Sequence, residues 1–160
     1  MPTTPLLDPT TLDLGRIAAR KSDIYPAVLQ HGGRFALLDG VLHRAEGSQM
    51  IAGFKEVRAD DWWCVDHIPG RPIFPGVLMI ETAAHLCSYD YKQHHHTGDD
   101  VFLGFGGTDA TRFRGLVQPP GRMIFVAEPK RIRRSVFTYA AQGFWNGELV
   151  FEAEILGVVV

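Results

Sequence analysis

The sequence has few cysteines, no long apolar run and no large excess of charge of either sign. Its two cysteines, Cys64 and Cys87, are too few for a disulfide framework, so we expect a reducing compartment. The formal net charge of −2 gives no electrostatic case for nucleic-acid binding. No apolar run reaches membrane-spanning length, and the N-terminus lacks the basic-then-apolar order of a secretory signal. We therefore expect a cytoplasmic protein that binds neither nucleic acid nor a membrane.

The composition is that of a globular protein. A chain of 160 residues with 46% hydrophobic residues is long enough for one domain with a substantial core. Residues 1–13 are rich in Pro and Thr and predict an arm that is frayed or ordered only by contact. Residues 14–29 favour one or two short helices, with Asp23 as a candidate N-cap.

The remaining pattern predicts two strands, one buried helix and four further strands. The helix begins at Pro75-Gly76 and ends near Gln93, before a polar tract at residues 94–100, and its apolar residues lie on nearly all sides. Asn146-Gly147 between two apolar runs is typical of a two-residue hairpin. The predicted strands are residues 34–43, 49–58, 101–105, 122–129, 135–145 and 148–160. Long strands with short turns favour an antiparallel sheet wrapped around the helix, an α+β fold.

One stretch says more about function than the rest of the chain. Residues 67–81 read HIPGRPIFPGVLMIE, so that a histidine, a loop rich in Pro and Gly, and a helix with one carboxylate follow one another. Glu81 is the only Asp, Glu, Lys or Arg between Pro72 and Asp90. A lone carboxylate in an apolar helix is costly to desolvate and therefore indicates a role.

This stretch resembles the signature of the FabZ-type (3R)-3-hydroxyacyl-[acyl carrier protein] dehydratases, which have the hotdog fold. The flanking segments 35–39, 107–113, 120–121 and 130–134 are similar as well. The resemblance covers roughly residues 29–159. It divides the chain into an N-terminal arm with short helices, residues 1–28, and a hotdog dehydratase-like domain, residues 29–160.

The resemblance implies an activity, a partner and an assembly. Such enzymes remove water from a (3R)-3-hydroxyacyl thioester on acyl carrier protein, give the trans-2-enoyl thioester and need no cofactor. It also implies a homodimer in which His67 faces Glu81 of the partner subunit. A dimer and a trimer of dimers both stay open, as do the acyl chain length and the choice between fatty-acid and specialised acyl pathways.

The residue types suit this chemistry. Dehydration needs a base at C2, for which the His67 imidazole is suitable, and an acid at the C3 hydroxyl. An apolar site raises the pKa of a carboxyl group, so we expect Glu81 to be that acid. The backbone N–H groups of Gly76 and Val77 at the helix start are placed to receive the thioester carbonyl oxygen. Phe74 and Pro75 complete the surroundings of the site.

Several positions depart from the resembled pattern. Asp66 stands where Gly is usual, Ile68 where Phe is usual, and His85 where Gln is common; the upstream His-Arg-Tyr-Pro-Phe element reads His31-Gly-Gly-Arg-Phe. An Asp66 carboxylate that approaches the imidazole would raise the pKa of His67, whereas one that points to solvent would do nothing. His85 would weaken Glu81 as an acid if protonated, or position it if neutral.

Other interpretations stay open. A basic cluster of four residues fits either a docking patch for acidic carrier protein or a solvated strand edge: Lys130, Arg131, Arg133 and Arg134. His67, Glu81 and His85 are a possible two-His-one-carboxylate metal set, although thioester dehydration requires no metal and we expect none. The alternative functions are a hotdog acyl thioesterase, with Glu81 activating water, and a non-catalytic acyl-binding subunit.

Overall fold

The computed structural model describes residues 3–95 and 100–160 and has the predicted α+β architecture. Residues 96–99 of the expected polar tract lie outside the described residues. The helices are α1 (Lys21–Ile24), α2 (Trp63–Asp66) and α3 (Gly76–His94). The strands are β1 (Ile17–Arg20), β2 (Gly40–Leu42), β3 (Ile51–Val57), β4 (Leu103–Phe113), β5 (Gly121–Ile132), β6 (Val136–Trp145) and β7 (Glu148–Val159).

One antiparallel sheet wraps around α3, as the hotdog fold requires. Its seven strands run in the order β1-β2-β3-β5-β6-β7-β4, so that β1 and β4 are the edges. Helix α3 contacts β3, β4, β5, β6 and β7 on the concave side. Strands β6 and β7 meet at Asn146 and Gly147, whose φ angles of 51° and 81° confirm the predicted hairpin.

Helix α3 is buried on most of its faces, which confirms the prediction from its apolar surface. Pro75 is its N-cap, and its buried residues extend from Leu78 to Tyr91. They include four polar or charged side chains: Thr82, His85, Asp90 and the hydroxyl-bearing Tyr91. In the part of the chain that the structure describes, no helix is long and apolar enough to cross a membrane.

Several local features differ from the predicted ones. Residues 17–20 form a strand, because they pair with β2, which only the tertiary structure supplies. Strand β4 extends to Phe113 because an edge strand tolerates polar residues that break the apolar alternation. Residues 63–66, for which no element was predicted, form α2. The N-cap of α1 is Arg20, and Asp23 accepts a hydrogen bond from the Arg20 backbone N–H at 2.8 Å.

The N-terminal arm is ordered by contact with the outer face of the sheet. Leu6, Leu7 and Leu12 pack against a second apolar cluster that includes Phe54 and Phe144. The Leu6 backbone N–H donates to the Gln142 side chain at 2.7 Å. The arm therefore closes the convex face, while α3 closes the concave face. The division of the chain at residue 28 stays a prediction.

Candidate active site

His67 is held by the loop that follows it. It is the C-cap of α2, it is exposed, and its Nδ1 lies 2.8 Å from the Ile73 carbonyl oxygen. A carbonyl oxygen can only accept, so Nδ1 carries the proton that is donated in this bond. In the neutral imidazole, Nε2 is then unprotonated and available as a base.

The start of α3 offers two backbone donors. The N–H groups of Leu78 and Met79 both donate to the Pro75 carbonyl, whereas within the described residues no hydrogen bond takes up those of Gly76 and Val77. A Cβ on Gly76 would lie 2.8 Å from Cε1 of Phe113, so a larger residue at this position would require the Phe113 ring to move.

The residues next to this helix start are well packed on one side. Phe74 is buried and packs against Trp63, with ring centroids 5.3 Å apart, and Pro75 is buried as well. Val77, by contrast, is 69% exposed. The predicted surroundings Phe74 and Pro75 therefore support the helix start, and the Val77 side chain points away from the core.

Glu81 lies between two imidazoles, one of them not predicted. Its Oε1 is 3.1 Å from Nε2 of the buried His85 and 3.8 Å from Nε2 of His31. The His31 and His85 rings have centroids only 3.8 Å apart. His85, one turn along the helix, thus contacts Glu81 directly, as the spacing of four residues allows.

The prediction of a raised pKa for Glu81 was wrong. The hydrogen bond from His85 lowers the pKa of Glu81, and this outweighs the desolvation that would raise it. A positive charge on His85 or His31, when either ring is protonated, acts in the same direction. Burial in turn lowers the pKa of His31, with His85 adding to the effect. The apolar surroundings act to raise the pKa of Glu81, but the two imidazoles lower it by more.

His31 and Tyr25 belong to the site although neither was among the residues predicted from the sequence. His31 stands in the segment that resembles the family pattern, which was the available signal. Tyr25 lies outside that segment, and its hydroxyl is 2.6 Å from Nδ1 of His85. Nothing in the sequence indicated that contact, because 60 residues separate the two side chains.

Three cavities meet at His31. One of about 40 Å³ is bordered by His31, Glu81, Ala84, His85 and Ser88. A second, of about 290 Å³, continues past Ser88 to Lys92 and Leu103. A third, an open groove of about 900 Å³, lies between Tyr25 and Arg122. A chain-like ligand that reaches Glu81 therefore has space along α3.

The two residues predicted to act together do not meet within one chain. In residues 3–95 and 100–160, no hydrogen bond or ion pair joins His67 to Glu81. His67 does not border the cavity that Glu81 borders. The predicted pairing across two subunits stays a prediction.

The departures near His67 make few contacts. Asp66 and Ile68 are exposed, and in the described part of the chain the Asp66 carboxylate makes no hydrogen bond or ion pair. This arrangement favours the interpretation in which Asp66 points to solvent.

The metal set differs from the one considered from the sequence. Ligand atoms of His31, Glu81 and His85 lie within 4.8 Å of one another, with His31 in the place of His67. Such atoms could hold a metal ion, but Glu81 would then be unable to donate a proton.

The basic cluster lies on the hairpin between β5 and β6. All four of its residues are exposed. Lys130 pairs with Glu128 at 2.7 Å, whereas within the described residues Arg131, Arg133 and Arg134 form no ion pair. The Tyr91 hydroxyl donates to the backbone carbonyls of Arg133 and Arg134, which fixes the hairpin at the C-terminal end of α3.

An exposed apolar surface surrounds the start of α3. Exposed fractions are 71% for Val65, 69% for Val77, 50% for Phe113 and 58% for Leu116. The neighbouring strand β4 is an edge of the sheet, so within residues 3–95 and 100–160 no strand pairs with its outer side. Such a surface is typical of a protein–protein interface.

Comparison with known proteins gives consistent matches. A family model described as a FabA-like domain matches residues 29–154. The 3-hydroxyacyl-[acyl-carrier-protein] dehydratase FabZ of Albidiferax ferrireducens is 34% identical over 138 residues, covering 83% of this chain and 91% of that protein. FabZ of Thermomicrobium roseum is 31% identical and covers 81% of this chain and 85% of its own length.

Solved structures show the same fold at low sequence identity. The dehydratase heterocomplex ApeI:P from Xenorhabdus doucetiae matches with a TM-score of 0.68 and 12% identity, over 88% of this chain and 90% of that chain. A thioesterase from Pseudomonas aeruginosa matches with a TM-score of 0.56 and 15% identity, over 75% and 81% of the two chains. One fold therefore serves both reaction types, and the choice depends on the site.

Proposed function

The chain belongs to the FabA-like family, and we propose that it dehydrates (3R)-3-hydroxyacyl thioesters carried on acyl carrier protein to trans-2-enoyl thioesters. The observation that carries this proposal is the arrangement of backbone N–H groups and a carboxylate along α3. Among the described residues nothing accepts a hydrogen bond from its first two N–H groups, which can therefore bind an oxygen, and Glu81 borders a cavity about 7.5 Å further along the helix axis. The FabZ relatives support the same reaction.

The residues divide the reaction between them. Nε2 of His67 takes the C2 proton, and the electron pair moves towards the thioester carbonyl, whose oxygen is received by the Gly76 and Val77 amides. The pair then returns to form the C2=C3 double bond, and the C3–O bond breaks as Glu81 donates a proton to the departing hydroxyl, which leaves as water. His67 ends protonated and Glu81 ionised, so one proton must return through solvent before the next turnover.

We propose a homodimer in which His67 meets Glu81 of the partner subunit. His67 is exposed and Glu81 is half-buried, and a second chain against Val77 and Phe113 would cover the apolar surface beside both. The free edge of β4 allows the sheets of two chains to join. A trimer of such dimers is compatible with the same site.

The substrate enters on acyl carrier protein in this proposal, and the basic cluster is its docking site. Carrier proteins are acidic, and Arg131, Arg133 and Arg134, which form no ion pair with any other described residue, present positive charge on a fixed hairpin. Localisation in the cytoplasm also remains a prediction, made from the composition.

An assay with mass spectrometry tests the function. Purified protein is incubated with 3-hydroxybutyryl- and 3-hydroxydecanoyl-carrier protein, and the masses of the products are measured. Loss of one water supports the dehydratase. Free acid would show a thioesterase, and an unchanged substrate would show a binding subunit.

We predict that His67→Ala and Glu81→Gln each lower kcat by about 10²–10⁴-fold, because each removes one acid–base group. The matched controls are His43→Ala and Glu46→Gln, which change exposed residues outside the site. A folded His67→Ala or Glu81→Gln variant with more than about a third of wild-type activity would refute the assignment.

A further inference from the structure

Tyr25 reaches the candidate active site from a part of the chain that the family model does not match. It follows α1 and is 8% exposed. Its hydroxyl oxygen lies 2.6 Å from Nδ1 of His85 and accepts a hydrogen bond from the Leu38 backbone N–H at 3.0 Å. The N-terminal segment is therefore part of the surroundings of Glu81.

The hydroxyl proton of Tyr25 has one available acceptor. The backbone N–H groups of Leu38 and Leu37 act on the Tyr25 oxygen as donors, so the Tyr25 O–H must point elsewhere. Within the described residues, His85 Nδ1 is the only hydrogen-bond acceptor beside it. A buried hydroxyl is normally hydrogen-bonded. Tyr25 therefore donates to Nδ1, and that nitrogen carries no proton.

The absence of a proton on Nδ1 determines the protonation of the other ring nitrogen, Nε2. A neutral imidazole has one proton, so the proton of His85 is on Nε2. Nε2 lies 3.1 Å from Oε1 of Glu81, and its N–H donates to that oxygen. The rings of His31 and Tyr25 pack against His85, with centroids 3.8 Å and 5.7 Å away, which limits rotation of the imidazole.

We propose that Tyr25 is a positioning residue that makes His85 a fixed hydrogen-bond donor to Glu81. In the opposite tautomer, Nε2 would be an acceptor, and a protonated Glu81 would give its hydrogen bond to His85. With Tyr25 donating to Nδ1, Nε2 can only donate, so the proton of Glu81 is left for the substrate hydroxyl. This inference rests on the proposed function.

The proposal also accounts for the departure at position 85. Glutamine, the common residue of the resembled pattern, offers an amide N–H₂ that donates without any choice of tautomer. Histidine at the same place needs a second residue to select its tautomer. Tyr25 and His85 are therefore expected to work as a pair.

A double-mutant cycle tests this coupling. We expect Tyr25→Phe to lower kcat about 10-fold or more with little change in KM, because the acid loses its orientation. In the His85→Gln background, Tyr25→Phe should change kcat by less than about 2-fold. Tyr89→Phe is the matched control, since in the described part of the chain its hydroxyl makes no hydrogen bond.

A spectroscopic measurement tests the hydrogen bonds without relying on activity. In protein labelled with ¹⁵N-histidine, the His85 signals are assigned by their loss in His85→Gln. We expect wild type to show Nε2–H with Nδ1 unprotonated, and Tyr25→Phe to show a mixture of tautomers or a protonated ring.

The outcomes separate the two proposals. Equal loss of kcat from Tyr25→Phe in both backgrounds, or unchanged ¹⁵N signals in Tyr25→Phe, would overturn the positioning role. If wild type releases no water from any hydroxyacyl substrate, the proposed function fails, and the ¹⁵N signals still decide whether Tyr25 holds His85 as a donor.

Discussion

At the scale of single residues, Glu81 shows how neighbours override an apolar setting. A carboxyl group among apolar residues has its pKa raised when nothing else acts. Here the His85 N–H donates to it, and the net effect is a lowered pKa. A lower pKa makes Glu81 a stronger acid, but a smaller fraction of it is protonated near neutral pH.

The lowered pKa of Glu81 predicts a pH-dependent contribution to stability. The folded pKa lies below that of the unfolded chain, about 4.3, so the contribution is complete above that value and is lost as pH falls through the folded pKa. We expect Glu81→Gln to be less stable than wild type above about pH 5, with the gap closing in acid. Urea unfolding at a series of pH values measures this difference in the free energy of unfolding.

The control for Glu81→Gln is the same substitution at a glutamate that lacks such contacts. Glu46 is exposed and, in the described residues, forms no ion pair, so Glu46→Gln should match wild type at every pH. A gap between wild type and Glu81→Gln that stays constant with pH would contradict the expected linkage.

Residue identities were predictable only where a local pattern carried them. His67, Gly76 and Glu81 belong to one continuous motif, so the sequence selected them directly. His31 and Tyr25 reach Glu81 only because the chain folds back over α3. The residues that surround Glu81 in space were therefore harder to predict from the sequence than Glu81 itself.

At the scale of elements, Asp90 ties α3 to its surroundings. It is fully buried, pairs with Arg44, and accepts a hydrogen bond of 2.6 Å from the Tyr139 hydroxyl of β6. His94 and His95 lie 3.2 Å and 3.5 Å from its carboxylate oxygens. Four side chains from three parts of the chain therefore converge on one carboxylate.

We predict that Asp90→Asn destabilises the fold by about 2–4 kcal/mol, because Arg44 loses its counter-charge while keeping some contact with water. Denaturant unfolding measures the loss. Asp100→Asn, at an exposed position, serves as the control and should change the free energy of unfolding little. A loss below about 1 kcal/mol would mean that Asp90 is not the anchor of this network.

Element types were better predicted than their ends. Helix α3 and the Asn146-Gly147 hairpin follow from apolar residues and turn chemistry within a few positions. Strand β1 and the full length of β4 depend on pairing partners far away in the chain. Edge strands are the least patterned, because one of their sides is open to solvent.

At the scale of the whole molecule, the proposed site requires two chains. We predict that inactive His67→Ala and inactive Glu81→Ala proteins, mixed and allowed to exchange subunits, recover about a quarter of wild-type activity. Half of the dimers would be hybrids, and each hybrid has one intact site. Subunit exchange is verified by native mass spectrometry. No recovery after verified exchange would indicate a site within one chain.

The basic cluster predicts that its charges matter for turnover of substrate on acyl carrier protein and not for turnover of a small thioester. Reversing charge with Arg133→Glu and Arg134→Glu should slow turnover of carrier-bound substrate at low salt and spare a pantetheine thioester, because exposed charges act mainly on encounter rate. Reversing Arg16 and Arg34, exposed arginines outside the cluster, is the matched control. Equal loss on both substrates would show that the hairpin supports the fold or the acyl cavity.

The sequence by itself determined the family, the α+β layout, the buried helix and the motif from His67 to Glu81, because each is written in contiguous residues or a short periodic pattern. The tertiary structure alone decided that His31 joins His85 beside Glu81, that the pKa of Glu81 falls, and that Tyr25 lies behind His85. These contacts join residues up to 60 positions apart. Only the folding of the N-terminal segment back over α3 brings Tyr25 within hydrogen-bonding distance of His85 and places His31 3.8 Å from Glu81.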